Sequence, residues 1–278
     1  MADAPRYVRP PSAESNGDAP GRGRLAGRRI LVVGGGQRTF AAATDPVGNG
    51  RAMSLLFARE GAHVAVADRR RPSADETVER IVAEGGRAFA IEADIAVEGD
   101  VARMLAEAEA GLGGLDGLVL NVGIGVGALG LGGVAVDEWD ETLAVNLRGP
   151  VLCCREGLPR LAPGSPIVFI SSIAGLRPGS RLLAYDASKA ALAGVMRHVA
   201  LEGAARGIRA NVVCPGLVDT PLGRAASAGR ASRGRTPVPF GRQATGWEVA
   251  YAALFFVSDE SVYVTGQILA VDSGLTTL

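Results

Sequence analysis

From Arg28 onward, short unbroken apolar runs alternate with longer stretches whose apolar residues recur every three or four positions. The first run, Ile30-Leu31-Val32-Val33, reads as a strand buried on both faces. A helix follows from Gly50 to Glu60, with Ala52, Leu55, Leu56 and Ala58 on its apolar side. The same rhythm continues. It predicts strands at His63–Ala67, Ala88–Ile91, Gly117–Leu120, Ile167–Ile170, Ala210–Val213 and Ile268–Val271. It predicts helices at Ala74–Ala83, Val101–Leu112, Glu138–Leu161 and Ala184–Ala205. Thr245 opens a further helix with Glu248 three residues on, the pattern of a capping box. Repeated βα units of this length predict an α/β fold, a doubly wound parallel sheet of the Rossmann-like kind with helices on both faces.

Two stretches break the rhythm. Gln37 to Val47 extends the first βα turn, and Val218 to Ala244 is rich in Gly, Arg, Ser and Pro without apolar period. A structureless loop that long inside a compact domain is usually functional, so a substrate lid is expected at about 218–244. Residues 1–25 are rich in Pro, Gly, Arg and Asp and are expected to be a disordered tail, leaving 26–278 as one domain.

Composition narrows the core. Hydrophobic residues make up 47% of the chain but aromatics only 5%, which favours parallel strands with small-residue helix packing over an aromatic-rich sandwich. The formal net charge is zero, so no electrostatic footprint for nucleic acid is present. No apolar run approaches the roughly 18 residues that span a bilayer, and the N-terminus lacks a secretory hydrophobic region, so a cytoplasmic protein is expected. Cys153, Cys154 and Cys214 show no metal spacing and read as small buried hydrophobes of a reducing compartment. His63 and His198 lie far apart, each beside apolar residues, and no metal site is expected.

Candidate chemistry starts in the first turn. Gly34-Gly35-Gly36 follows the opening strand, and Gly48-Asn49-Gly50 leads into the helix. Glycines there let the backbone approach a pyrophosphate seated at the helix N-terminus. Asp68 ends the second strand eighteen residues past Gly50, near the place where an acid grips an adenosine ribose. The other signal is Lys189, the only lysine beside 28 arginines, four residues after Tyr185. On a helix that spacing puts phenol and ammonium on one face. An adjacent ammonium favours the phenolate and makes the tyrosine a usable acid/base.

Together these pieces resemble the short-chain dehydrogenase/reductase family, from about Leu25 to Leu275. The resemblance rests on Gly34…Gly48-Asn49-Gly50-Arg51-Ala52, Asp94-Ile95, Asn121-Val122-Gly123, Asn146, Ser171-Ser172, Tyr185…Lys189, Pro215-Gly216…Thr220 and Thr265-Gly266-Gln267. It implies a catalytic set of Asn146, Ser172, Tyr185 and Lys189. Tyr185 would act as general acid/base, Ser172 would bind the substrate oxygen, Lys189 would lower the Tyr185 pKa and hold the nicotinamide ribose, and Asn146 would hold a relay water. It also implies cofactor contacts at Gly34, Gly36, Gly48, Asn49, Gly50, Asp68, Asp94, Ile95, Asn121, Gly123, Tyr185, Lys189, Pro215, Gly216, Val218 and Thr220. Pro150, four residues after Asn146, has no N–H, so it cannot serve the Asn146 carbonyl and should kink the helix.

Departures from the family pattern matter too. Val33 stands where the family usually has Thr, and the family's Asn-Asn-Ala-Gly stretch is here Leu120-Asn121-Val122-Gly123, so one Asn and its hydrogen bonds are missing and Val122 is bulkier beside the adenosine. The extension of about ten residues either bulges away from the pyrophosphate or folds over the cofactor and offers Gln37, Arg38 or Thr39. Asp68 and the apolar Val47 favour NAD(H), while Arg69, Arg70 and Arg71 keep NADP(H) possible. The expected activity is hydride transfer between a nicotinamide cofactor and a secondary alcohol or ketone. The alternatives are imine reduction or cyclisation by the same residues, or a cofactor-binding regulator without turnover. The family resemblance further implies a homo-oligomer, tetramer or dimer. Arg224, Arg230, Arg233 and Arg235 in the lid could meet an anionic substrate, although a solvated loop explains them as well.

Overall fold

A computed structural model describes residues 8, 10–38, 45–127, 129–228 and 236–278. Its centre is a seven-stranded sheet. The strands are β1 (Arg29–Val33), β2 (His63–Asp68), β3 (Arg87–Glu92), β4 (Gly117–Leu120), β5 (Pro166–Ile170), β6 (Arg209–Pro215) and, last in the chain, β9 (Ile268–Val271). They run parallel in the order β3-β2-β1-β4-β5-β6-β9. The order reverses direction between β1 and β4, and in such sheets ligands bind at that switch point, beyond the carboxyl ends of the strands.

The continuous apolar runs are explained by two-sided burial. Along β1, Leu31 and Val33 face one core layer and Ile30 and Val32 the other. Likewise Ile167 and Phe169 of β5 face the first layer and Val168 and Ile170 the second. The first layer is closed by α4 (Glu98–Leu112), α6 (Gly149–Gly157) and α7 (Leu183–Gly203). The second is closed by α2 (Asn49–Arg59), α3 (Arg71–Ala83) and α9 (Gly246–Val257). The central strands β1, β4 and β5 alternate their side chains between the two apolar layers, which keeps their runs free of polar positions, whereas β6 is interrupted by the buried Asn211. Cys153 and Cys154 sit in the first layer, and burial pushes the Cys153 thiol up to about 12.

The predicted long helix from Glu138 to Leu161 is broken into two. A helix α5 (Val136–Leu143) leads into a π turn over Ala144–Arg148, and α6 continues from Gly149. The Gly149 N–H donates to the Ala144 carbonyl, a five-residue step instead of four. Proline at 150 cannot donate an N–H and pushes against the preceding turn, and widening that turn accommodates it. The capping box at Thr245 and Glu248 is present in full.

The N-terminal segment differs from expectation. Over residues 10–27 it lies packed on the domain, with Leu25 fully buried and a short helical turn α1 (Ala13–Asn16) capped by Ser12. The anchor is the buried Glu60 carboxylate at the end of α2. It accepts the backbone N–H of Arg22 (2.9 Å) and Arg24 (3.0 Å) and pairs with the Arg24 guanidinium at 2.6 Å. Ser15 donates to Glu248 at 2.8 Å, and Gly17 passes against the Trp247 ring, where any Cβ would collide. Composition pointed to disorder because it cannot register one buried acid collecting backbone donors. Residues 1–7 and 9 lie outside the described residues.

The loop after β6 is also more structured than its composition suggests. A two-residue strand β7 (Val218–Asp219) pairs in parallel with β8 (Ala244–Thr245), and α8 spans Pro221–Ala228 between them. Arg224 is bound to Asp219 at 2.6 Å, while Arg230, Arg233 and Arg235 lie outside the described residues.

Candidate active site

Two chambers open at the carboxyl ends of β1, β4, β5 and β6, about 420 and 360 Å³ in volume. Tyr185, Asn49, Ser171, Thr220 and Leu222 line both, so the chambers adjoin as one cleft with Tyr185 between them.

The larger chamber is built on the glycine turn. Gly34 has a left-handed φ of 78°, which leaves its carbonyl to accept from Asn121 Nδ2 at 2.8 Å. A Cβ on Gly50 would lie 1.9 Å from that same carbonyl oxygen, so only glycine lets α2 start there. A Cβ on Gly36 would lie 2.6 Å from Asp68 Oδ2, which places the carboxylate directly against the turn. Asp68 Oδ1 accepts the Arg70 N–H at 3.0 Å. Asp94, Ile95, Asn121 and Gly123 line the same chamber. Asp94 accepts the Ala96 N–H at 2.9 Å, which fixes the strand-end turn.

Gln37 takes a part that neither alternative for the extension foresaw. Its Oε1 accepts the Gly48 N–H at 2.7 Å, joining the two halves of the interrupted glycine turn. Arg38 lines the larger chamber, and Thr39 lies outside the described residues. A glutamine beside an inserted loop carries no pattern that could have revealed this bond.

Of the predicted catalytic residues, Tyr185 and Lys189 line the larger chamber and Tyr185 and Ser172 the smaller one, while Asn146 lines neither. Lys189 is buried, its Nζ donating to the Ile170 carbonyl at 3.0 Å and standing 5.8 Å from the Tyr185 ring centre. Burial pulls its pKa down from 10.5 to about 8, with the nearby Cys214 thiol acting weakly the other way. A Cβ on Gly123 would fall 2.9 Å from Nζ, so the bare glycine leaves the lysine tip its present position. Ser171 Oγ donates to the Lys189 carbonyl at 2.8 Å and ties α7 to the end of β5. Ser172 lines the smaller chamber and caps the short turn Ile173–Gly175, accepting the Ala174 N–H at 3.2 Å.

Asn146 is fully buried in the π turn and its side chain is spent on structure. Its Oδ1 accepts the Ile124 N–H and its Nδ2 donates to the Ile124 carbonyl, both at 2.8 Å. It also donates to Ser188 Oγ at 3.1 Å. The Asn146 amide therefore clamps the loop after β4 to the helix carrying Tyr185, and only its backbone carbonyl remains for a relay. Pro215, Gly216 and Val218 were expected at the cofactor; they line the smaller chamber, and Thr220 lines both.

Comparison with known proteins gives the same answer as the geometry. A family model described as enoyl-(acyl carrier protein) reductase matches residues 43–276. Glucose 1-dehydrogenase of Gluconobacter oxydans is 34% identical over 264 residues, covering 93% of this chain and 95% of that protein. A solved short-chain dehydrogenase/reductase of Burkholderia xenovorans superposes with a TM-score of 0.82 at 36% identity, over 92% of this chain and 98% of the other.

The chain belongs to the short-chain dehydrogenase/reductase family.

It is an NAD(P)-dependent oxidoreductase acting on CH–OH and C=O groups. A short-chain dehydrogenase of Burkholderia cenocepacia, solved in complex with NADP, superposes with a TM-score of 0.80 at 32% identity, covering 91% of this chain and all of that one. The residues present fit a dinucleotide. Gly34 and Gly50 keep backbone close and bare, and the buried Asn49 Oδ1 has no hydrogen-bond partner among the described residues, leaving an acceptor on the cleft wall for a ligand amide or hydroxyl. Among the described residues no cluster of His, Cys, Asp and Glu could hold a metal ion, and no helix is long and apolar enough to cross a membrane.

Proposed function

We propose that this short-chain dehydrogenase/reductase interconverts a secondary alcohol and a ketone with Tyr185 as its acid/base, and that it prefers NAD(H). The observation that carries the first part is the position of Tyr185 where the two chambers meet, with the one lysine of the chain buried beside its ring. The bound nicotinamide supplies or accepts the hydride. Everything else falls to side chains of the chain. Tyr185 gives its phenolic proton to the substrate oxygen during reduction and takes it back during oxidation. The Lys189 ammonium favours the phenolate form, and its own pKa of about 8 keeps its proton exchangeable near neutral pH. Ser172 donates to the substrate oxygen and holds it at the phenol. The Asn146 carbonyl, which cannot bond to a Pro150 N–H, holds the water through which Lys189 exchanges protons with bulk. The smaller chamber receives the substrate, and the segment from β7 through α8 covers it as a lid.

The NAD preference rests on Asp68. Its carboxylate accepts from a ribose 2′-hydroxyl and repels a 2′-phosphate. Arg69 and Arg70 line the same chamber and favour the NADP reading, yet both are engaged. Arg70 donates to the Gln37 carbonyl at 3.0 Å and Arg69 stands 3.9 Å from Asp94. A panel of secondary alcohols and ketones with NAD(H) and NADP(H), run on wild type and Asp68→Ala, tests both halves. The reading predicts turnover favouring NAD(H) in wild type and a shift toward NADP(H) in the variant. Wild type that already prefers NADP(H) refutes the cofactor assignment.

A homo-oligomer in the cytoplasm belongs to the same reading. It is supported by apolar side chains left exposed on α6 and α7, including Val151 and Leu201, and by three buried free cysteines. Sedimentation as a monomer at micromolar concentration would contradict it.

A further inference from the structure

We propose that the substrate of this site is an anion, a small hydroxy acid or keto acid whose charged group is received by Arg177 and Arg181. The inference rests on the proposed role of Tyr185, since it assumes that the smaller chamber holds the substrate.

Both arginines line that chamber, and among the described residues no Asp or Glu does. Neither guanidinium has an ion pair or hydrogen bond among the described residues, whereas Arg155, Arg160, Arg224 and Arg242 are each paired with an acid. Unpaired positive charge beside an apolar wall of Ile173, Leu182 and Leu217 concentrates anions there. The guanidinium fork also suits the planar, two-oxygen geometry of a carboxylate.

Placement strengthens the case. Arg177 follows Ser172 by five residues and Arg181 precedes Tyr185 by four, so both ride on the segment joining the two groups that would hold the reacting oxygen. That segment is held in place. The Arg177 N–H donates to Ile173 at 3.0 Å, Ser180 Oγ accepts the Leu182 N–H at 2.9 Å, and the Arg181 carbonyl accepts the Gly130 N–H at 2.9 Å. Arg181 has a left-handed φ of 62°, a conformation a non-glycine residue keeps only where its surroundings impose it. Across the cleft the cofactor chamber carries Asp68, Asp94 and Glu141. Arg38, Arg69, Arg70 and Lys189 stand beside those acids, so the cofactor chamber mixes both signs, whereas the charged residues lining the smaller chamber are, among the described residues, Arg177 and Arg181 alone. An anion enters with its charged end toward the arginines and its hydroxyl or carbonyl toward Tyr185.

Isothermal titration calorimetry with matched, unreactive pairs reads this directly. The probes are cyclohexanecarboxylate, butyrate and benzoate, each beside its primary amide, with cyclohexyl phosphate as a further arm. At low salt at least one carboxylate should bind about tenfold tighter than its amide, with the preference shrinking as salt is raised. The Arg177→Gln/Arg181→Gln variant should lose the preference, and Arg177→Lys/Arg181→Lys should keep much of it; thermal melts confirm that both are folded. Tighter binding of cyclohexyl phosphate than of the carboxylate would support the anion site and assign its group as phosphate. Absence of a carboxylate preference in every pair, whether both members bind or neither does, overturns the proposal. So does a preference that survives the double Gln change. Neutral secondary alcohols oxidised through Tyr185 without carboxylate preference would remove this inference and leave the proposed function standing. Carboxylate binding that depends on the arginines, with no hydroxy acid oxidised and no keto acid reduced, would leave an anion site but overturn the substrate assignment.

Discussion

Lys189→Met removes a buried charge from the centre of the proposed site, and its effect on stability should depend on pH in a defined direction. In the folded chain burial pulls the Lys189 pKa from 10.5 to about 8. Below about pH 8 the lysine is charged in both the folded and unfolded chain, and folding carries the whole cost of burying the ammonium. At ~1.4 kcal/mol per decade that cost is about 3 kcal/mol. Between pH 8 and 10.5 the unfolded chain binds more protons at this group than the folded chain, so stability rises with pH there. About 2 kcal/mol should be recovered by pH 10. The buried thiols act in the opposite sense. Burial raises the pKa of Cys153, Cys154 and Cys214, so their contribution is lost as pH climbs past the unfolded thiol value.

Comparing wild type with Lys189→Met, both in a Cys214→Ala background because that thiol interacts with Lys189, separates the two: the remaining cysteines are common to both proteins and the chain has no other lysine. The methionine leaves the Ile170 carbonyl without its 3.0 Å donor, a loss of about 1–3 kcal/mol that does not depend on pH. The stability difference at neutral pH is therefore small. The informative quantity is the change in that difference between pH 7 and pH 10, measured by urea unfolding without cofactor. Wild type should gain about 2 kcal/mol relative to the variant over this range. Parallel pH profiles for the two proteins would show that Lys189 is not held as a costly buried ammonium, and the argument for its proton exchange near neutrality would fall.

Lys189→Arg keeps the charge but needs room for a planar fork where even a Cβ added to Gly123 would lie 2.9 Å from the ammonium; turnover should drop about a hundredfold or more in steady-state assays on a protein with a native circular dichroism spectrum. Gly50→Ala puts a Cβ 1.9 Å from the Gly34 carbonyl oxygen, so NAD(H) titration by fluorescence should show at least about tenfold weaker binding, and a thermal melt a loss of about 1–3 kcal/mol. Glu60→Ala strips the N-terminal segment of its anchor and should cost about 3 kcal/mol in urea unfolding at pH 7. Burial alone would raise the Glu60 pKa, but the Arg24 guanidinium and two backbone N–H groups outweigh it and lower it. The anchor therefore holds above the ordinary glutamate range and its contribution fades as pH falls below it, so the gap between wild type and Glu60→Ala should narrow in acid.

The seven strands of the main sheet were legible because burial leaves their interiors apolar but for Asn211 in β6, and each lies within two residues of its predicted ends. The Tyr185–Lys189 pair was legible for a different reason: helical periodicity alone puts both on one face. Other features depend on contacts between residues distant in sequence. The π turn at Ala144–Arg148 reflects Pro150 acting on a helix whose apolar period continues unbroken across it. The Asn146 clamp on Ile124 and the Gln37 bond to Gly48 join a side chain to a backbone group elsewhere, and hydropathy carries no trace of such bonds. The N-terminal segment was misread because a few anchors, Ala19, Leu25 and the donors to Glu60, are diluted in a Pro- and Gly-rich composition. Arg177 and Arg181 escaped notice for a related reason. In a chain with 28 arginines, nothing distinguishes two unpaired ones until their neighbours are seen.

The central claim is that the Tyr185 phenol carries the proton to and from the substrate oxygen. Single-turnover measurement of NAD(P)H formation or loss at 340 nm, with wild type and Tyr185→Phe compared on the best secondary alcohol or ketone from the panel, tests it most directly. The account predicts a rate lowered by about 10²–10⁴-fold, with cofactor affinity within a few-fold of wild type. A Phe variant that transfers hydride at the wild-type rate would contradict it.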